Sequence, residues 1–581
     1  MECGDVYKVL NANEKISDIE NISSQEVYTD KSYQHIFRFL LTINTTGTFI
    51  IMGVPVEWSR KLIDVYIENY KEYKYIPHMG SNGELCLFDL EGVLIDKNFI
   101  GLLSQTIERL CTTLEAGLLG FNKKDFIDEF EEYWRRLPGT KVLKSMISPN
   151  TGMKLVKYTS NKKKTNQKKS ERYVDYINRL DSYTLYVADS EKEFNVYDNS
   201  QPIRNAVFIH VDLQAFVYPP DWRNELDLDF INGLLKNFEK SDLTKLIHKC
   251  SSDLLLIFNL RQPDDSTNIL GVLIEGFIVN SEAEVLQIHS CKKLIPCNVK
   301  RRDKEFLLNR GGAQINLSGK KVLVIGCGSI GGYLVNELVK TGINDIMLVD
   351  DDVLIEENIY RHFLGMEYVG KYKTKGMDDY LRKNIPDVNI TCLEDNIEDA
   401  VYDGNIALSD YELIISAVGN HNVNRWLNEQ MMQQTELNTP VIYLWNEVLG
   451  IGNHVAIIST NYPGCYECFF GRDENGNIYD KTSFCEKGQS FSKKLMGCGS
   501  SFLPFSSTNS VTTVVIGMEV IRDYFEGNIT ENLLISNKGN DFYFTKAGYN
   551  TSNRYKAQEN QQITIPGDKF KKDNCKVCSG K

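Results

Sequence analysis

The chain has 581 residues, of which 42% are apolar and 25% charged, and carries a net charge of −13. That length suggests three or four domains, each large enough for its own core. The acidic balance argues against nucleic acid or an anionic membrane as the main partner. The longest apolar runs, such as YELIISAV and TTVVIGMEVI, are far too short to span a bilayer. The opening MECGDVYKVLNANEK lacks a basic-then-apolar signal pattern, which points to the cytosol of the cell. In that reducing compartment the fourteen cysteines are expected as thiols, metal ligands or nucleophiles rather than disulfides.

Residues 1–150 read as one unit. HIFRFLLTI and GTFIIMGVP have strand length and composition, and TINTTG between them predicts a hairpin. YIPHMGSNGELCLFD is turn-rich and carries Cys86. Ile100, Leu103, Ile107, Leu110 and Leu114 then recur at helical spacing, and DFIDEFEEYWRRL reads as an amphipathic helix. Cys111, on the apolar side of the first helix, reads as core. A meander, an extended loop presenting one cysteine and C-terminal helices resemble a ubiquitin-conjugating fold. PHMGSNGELC loosely resembles the P-H-x-x-x-x-G-x-L-C pattern of its prokaryotic members, which also carry an EFxxYW helix. The resemblance implies that Cys86 is an acyl-carrying nucleophile. The His-Pro-Asn triplet of eukaryotic members is absent, which leaves Asn82 and His78 as candidates for the oxyanion-stabilising group, a structural part being preferred for His78.

Residues 151–300 open with the lysine-rich YTSNKKKTNQKKSER, a solvated loop or linker. YTLYVA, AVFIHVDLQAFVY, DLLLIFNL and NILGVLIEGFIV read as strands and DFINGLLKNFEKSDLTKLIHKC as helix. The segment is expected to be an α/β or α+β spacer, assigned here as a central α/β linker domain, with no catalytic constellation.

Residues 301–581 carry the most informative stretch. KKVLVIGCGSIGG is a buried strand turning sharply into a helix at Gly326, Gly328 and Gly331, where glycines admit a phosphate and the helix start supplies N–H groups. The next strand ends at Asp350, where a carboxylate accepts ribose hydroxyls. Asn358, Arg361 and Lys373 follow. A hydride-transfer site needs no such cations, whereas attack on the α-phosphate of ATP must neutralise triphosphate charge. The order GCGSIG, LVDDD, NIYR and GKYK resembles the ubiquitin-activating superfamily, which includes the bacterial adenylyltransferases of thiamin (ThiF) and molybdopterin synthesis. That resemblance implies a Rossmann-like adenylation domain in which Asp350 holds the ribose, Arg361 and Lys373 bind the triphosphate, and Asn358 seats the nucleotide. Lys375 is the alternative register for Lys373. The family's Asp-Asn after a later strand stands here as Gly419-Asn420, so Asn420 is retained and Asp352 becomes the candidate carboxylate facing Mg2+. A Rossmann domain using NAD, or a degenerate one binding nothing, is the competing reading.

Cys465-Tyr-Glu-Cys468 and Cys575-Lys-Val-Cys578 are two C-x-x-C knuckles, together the four thiolates of a closed tetrahedral zinc site. Many bacterial members of the superfamily tie such knuckles together. Between the first knuckle and SVTTVVIGMEVIRDYF lie Cys485 and Cys498. By resemblance this is the crossover loop, whose cysteine takes the acyl group from AMP as a thioester. Cys498, in MGCGSSFLP, is the preferred nucleophile and Cys485 the runner-up. Cys327, inside the glycine loop, reads as a small filler.

Taken in order, 1–150, 151–300 and 301–581 resemble the fused conjugating–activating proteins of bacterial anti-phage operons built on cyclic-oligonucleotide signalling (CBASS). The resemblance implies a cytoplasmic homodimer that adenylates the C-terminus of the operon's CD-NTase, a cGAS-like nucleotidyltransferase. The acyl group then passes through two cysteines to a target amine. ATP, Mg2+ and Zn2+ are the expected cofactors. A sulfur-carrier or small-molecule adenylyltransferase, and a scaffold with a degenerate ATP site, are the alternatives.

Overall fold

The computed structural model describes residues 3–23, 31–73, 76–80, 82–88, 95, 97–149, 152–162, 183–191, 194, 202–220, 226–236, 238–280, 286–312, 317–434, 438–491, 493–494, 501–502 and 504–579. They fall into two units, Met1–Arg302 and Asp303–Lys581. Among the described residues no helix is long and apolar enough to cross a membrane.

The first unit begins with helix α1 (Cys3–Asn11) and an antiparallel meander of β1 (Ile16–Ile22), β2 (Tyr33–Ile43), β3 (Thr46–Pro55) and β4 (Asp64–Ile67). Alternation decides which face of β2 is inward: Phe37, Phe39, Leu41 and Ile43 are buried while Arg38, Leu40 and Thr42 are more exposed. The expected hairpin turns at Asn44 and Thr45, both at positive φ (44° and 70°), which matches strand twist. Helix α2 (Phe99–Leu119) covers the sheet, starting at the Asn98 cap and stopping at Gly120, whose φ is 71°. Its buried row begins at Phe99, and Ile100, expected inside, is 53% exposed because it falls on the solvent side of the first turn.

The DFIDEFEEYWRRL stretch, expected as one amphipathic helix, forms two short helices, α3 (Asp125–Asp128) and α4 (Phe130–Arg135), broken at Glu129. Beyond them, β5 (Lys141–Ser145), β6 (Met153–Lys162), β7 (Tyr183–Ala188), β8 (Arg204–Asp212), β9 (Asp253–Arg261), β10 (Thr267–Glu275) and, after the small hairpin β11 (Ile278–Asn280) and β12 (Gln287–Ser290), β13 (Lys293–Arg301) are laid down. They close into a barrel of order β10-β13-β5-β7-β6-β8-β9. The central segment therefore departs from an α/β layering: parallel and antiparallel pairs mix around a closed sheet that takes in β5, N-terminal of residue 150. Leu143, Val156, Leu185, Phe208, Ile257 and Ile295 fill one core. A second core joins the other faces of these strands to helices Leu228–Leu235 and Lys240–Ile247, and to Phe130 and Trp134 of α4.

The second unit is a doubly wound sheet. The parallel strands β14 (Lys321–Ile325), β15 (Asp345–Val349), β16 (Asn389–Leu393), β17 (Leu413–Ser416) and β18 (Val441–Asn446) run in the order β16-β15-β14-β17-β18. Antiparallel β19 (Gly452–Ile458), Leu533–Lys538 and Gln562–Pro566 extend that edge. Strand order reverses at β14, so the crevice beyond the C-terminal ends of β14 and β17 is the topological switch point where such sheets bind ligands. Val322 and Val324 enter one core and Leu323 and Ile325 the other, which is why this strand reads as a continuous apolar run.

Candidate functional site

At the switch point β14 ends in Gly326 at φ 90°, and a Cβ there would meet Val418 and Ala417 at 3.0–3.1 Å. Gly331 opens the helix Gly331–Lys340, and a Cβ on it would lie 1.9 Å from the Gly326 carbonyl oxygen. These two glycines are demanded by the turn itself. Gly328 differs: a Cβ would meet nothing within 4 Å, so its missing side chain leaves room above the loop. Asp350, at the end of β15, accepts from the Cys327 amide (2.6 Å) and the Asp352 amide (2.9 Å). Burial pushes its carboxyl above the ordinary range, against the pull of Lys373. Lys373 is buried at the start of the helix Lys373–Asn384, and its Nζ lies 2.5 Å from Oδ2 of exposed Asp352. Lys375 faces elsewhere and pairs with Glu394 at 3.0 Å.

His362 completes the loop's support. Its Nδ1 accepts the Leu364 amide, so Nε2 carries the proton and donates to the Cys327 carbonyl at 2.7 Å. Burial lowers its pKa to about 4 and keeps it neutral. The carbonyl of Asn358 accepts the amides of Arg361 and His362, and the Arg361 guanidinium sits 5.5 Å from the Phe505 ring centroid. Asn420 caps the helix His421–Gln433 just beyond β17, its Oδ1 accepting from Asn422 at 2.9 Å. Gly419 before it has φ 66°, a left-handed conformation that an aspartate would adopt only at a cost.

Cys465, Cys468, Cys575 and Cys578 are all buried, with every sulfur within 4.8 Å of the others. The closest Sγ–Sγ separations are 3.6–3.8 Å. A tetrahedron with metal–sulfur bonds of about 2.3 Å has edges of about 3.8 Å, so the donor set fits zinc. Lys572 donates its amide to the Cys468 sulfur, and Phe570 packs on Phe469 beside the knuckle. The four thiolates would hold zinc and so staple the C-terminal tail to the sheet.

In the first unit Cys86 is exposed, next to buried Leu85 and Leu87. Its amide donates to the His78 carbonyl at 2.8 Å. Met79 bridges Leu85 across the turn, and the Leu85 amide bonds Val65 of β4. Arg109 of α2 donates to the Leu87 carbonyl and lies over the Phe88 ring. The thiol thus stands on a short turn fixed by sheet and helix.

Residues 303–553 match the model of the ThiF family, and residues 4–142 that of prokaryotic E2 family B. The ATP-dependent ubiquitin transferase-like protein Cap2 of Pseudomonas aeruginosa is 24% identical over 489 residues, 79% of this chain and 81% of that protein. Its Escherichia coli namesake is 22% identical over 505 residues, covering 78% and 81%. Over about four fifths of its length the chain is thus similar to Cap2-like ATP-dependent ubiquitin transferases. It is an enzyme of this class, with an activating-type second unit and a conjugating-type N-terminal region. Among solved structures, E. coli MccB with SeMet MccA aligns with 47% of this chain and 70% of its own at 18% identity and a TM-score of 0.33, too slight a likeness to add to this.

Two cysteines lie between the first knuckle and the helix Ser507–Phe525. Cys485 is buried with Val448, Ile451, Phe484 and Tyr555, and burial, then the charge of Glu447, pushes its thiol far above the ordinary value. Such a thiol is a poor nucleophile. Cys498 lies outside the described residues. Sequence reasoning missed His362, although it follows Arg361 directly. It also missed Glu447, whose buried carboxylate accepts the Phe484 and Cys485 amides and bonds His454 at 2.8 Å. Of the two oxyanion candidates, Asn82 turns its Oδ1 onto the Glu84 amide. The ring of His78 is held between Asp125 and Glu129.

Proposed function

We propose that this enzyme joins a protein C-terminus to a target amine through acyl-AMP and two thioesters. The carrying observation is one chain holding both a phosphate-accommodating crevice, with Asp350, Asp352 and Lys373 grouped at its mouth, and an exposed cysteine on a conjugating-type turn. ATP enters with its ribose hydroxyls on Asp350, while Lys373 and Arg361 face the polyphosphate and Asn358 and Asn420 line the seat. Asp352 would hold Mg2+ in place of an acid at position 419, and the ion would offset charge on the polyphosphate. A carboxylate oxygen of the protein C-terminus attacks the α-phosphorus and pyrophosphate leaves. The Cys498 thiolate then attacks the acyl carbon and AMP leaves. The Cys86 thiolate displaces Cys498, and an amine finally displaces Cys86 to form the amide. The activated protein is the operon's CD-NTase, and the enzyme acts as a homodimer through its second unit. Fusion of both stations raises the effective concentration of the second thiol.

The test separates the two nucleophiles. With ATP and the CD-NTase, Cys86→Ala forms a reducible thioester but no stable conjugate. Cys498→Ala makes acyl-AMP yet loads neither cysteine. Stable amide from Cys86→Ala, or normal loading of Cys86 in Cys498→Ala, contradicts the relay.

A further inference from the structure

We propose that His78 is a positioning residue for acyl transfer, its ring clamped between Asp125 and Glu129 so that its backbone carbonyl holds the Cys86 turn. The inference rests on the reading of Cys86 as acyl carrier and goes beyond it. His78 sits at φ 63°, a conformation that costs energy for any residue but glycine and persists only where its surroundings hold it. Here the holding is explicit. Nε2 lies 3.0 Å from Asp125 Oδ2 and Nδ1 lies 3.1 Å from Glu129 Oε1. The His78 amide donates to the Tyr133 hydroxyl (3.0 Å), which in turn donates to Glu129 Oε2 (3.1 Å). Arg136 donates to the Met79 carbonyl at 2.9 Å. Ring, amide and the following carbonyl are thus all fixed by the α3–α4 pair, and the break between those helices falls on Glu129, the residue facing Nδ1.

Two carboxylates facing two ring nitrogens satisfy both only when both nitrogens carry protons, as in the imidazolium. The hydrogen bond that the ring donates to Glu129, opposed by burial, raises the His78 pKa to about 8. The groups facing the ring are Asp125, Glu129 and Tyr133, with Arg136 beside them and Glu84 and Cys86 on its own turn. The helices are themselves seated on the barrel. Trp134 donates its indole N–H to the Cys297 carbonyl, Asn268 donates to the Ile127 carbonyl, and Glu131 accepts the Ile269 amide. A run of contacts therefore leads from barrel to helix to His78 to Cys86, and the central segment, which carries no reactive motif, serves as its support.

The experiment uses the full-length enzyme, with the operon's CD-NTase as acyl donor and free lysine as acceptor. In His78→Gln, discharge of the Cys86 thioester should slow about tenfold with KM for lysine and pyrophosphate exchange unchanged. Hydrogen exchange across residues 78–88, corrected for intrinsic rate, should show wild-type protection falling as pH rises through about 8. In the variant it should be low and flat with pH. Glu129→Gln, which leaves His78 itself in place, should reproduce both effects if His78→Gln fails to fold. Wild-type discharge and an unchanged pH step in a folded His78→Gln or Glu129→Gln enzyme overturn the proposal. Cys86→Ala run alongside reports on the carrier reading alone: stable conjugate from it refutes that reading and the positioning role together. An inactive Cys86→Ala beside a fully active His78→Gln refutes only the positioning role.

Discussion

Alanine at Gly331 and alanine at Gly328 should have opposite signatures, although both glycines belong to one motif. At Gly331 the new Cβ would stand 1.9 Å from the Gly326 carbonyl oxygen, about 1.5 Å short of ordinary contact. The obstacle is backbone and cannot swing aside, so the cost belongs at the upper end of overpacking, about 3 kcal/mol. For a unit of this size that is a fall in Tm of roughly 5 °C. The start of the helix must also draw back from the loop, which should weaken nucleotide binding. At Gly328 a Cβ meets nothing within 4 Å, so the Tm should stay within about 1 °C of wild type. That methyl occupies the space left for phosphate, and carboxylate-dependent exchange of pyrophosphate into ATP should fall at least about tenfold, a loss of about 1.4 kcal/mol. Calorimetry and the exchange assay read the two effects separately. A Gly331→Ala enzyme that melts and exchanges like wild type, or a Gly328→Ala enzyme that melts low, refutes this account of the turn.

Lys373→Ala should abolish exchange without unfolding, whereas Lys375→Ala, which breaks only the pair with Glu394, should keep it; the reverse pattern shifts the phosphate-binding register by two residues. Purified enzyme should carry about one zinc per chain, and Cys575→Ser should release it to a chromogenic chelator and expose residues 570–579 to protease; metal-free protein with four alkylatable thiols contradicts the site. His362 has a folded pKa of about 4 against an ordinary 6.5. Its neutral form therefore contributes stability that is present above pH 6.5 and is lost as pH falls toward 4, roughly 3 kcal/mol in all. His362→Gln should flatten that part of the stability–pH curve, and an unchanged slope shows that other groups cause it.

Local chemistry made much of this protein legible in its sequence. The apolar β-branched run before GCGSIG reads as a buried strand, and Gly326 and Gly331 answer to contacts measured in ångströms. The two C-x-x-C knuckles, a hundred residues apart, had one economical partner each. The hairpin at Asn44 and Thr45 followed from the two strand-like runs flanking TINTTG, and the long helix from apolar residues recurring at helical spacing. Tertiary structure decided what short-range pattern does not encode. Closure of β5–β13 into a barrel depends on parallel pairs between strands far apart in sequence, and no periodicity distinguishes a closed sheet from an open one. The imidazole of His362 became the support of the glycine loop because the chain after β15 folds back beneath Cys327. Glu129 looked like one more charge on an amphipathic helix until the helix broke there and turned it to His78. Periodicity reports which side of an element faces away from water; which buried polar atom meets which depends on where the chain returns, and that is a property of the whole fold.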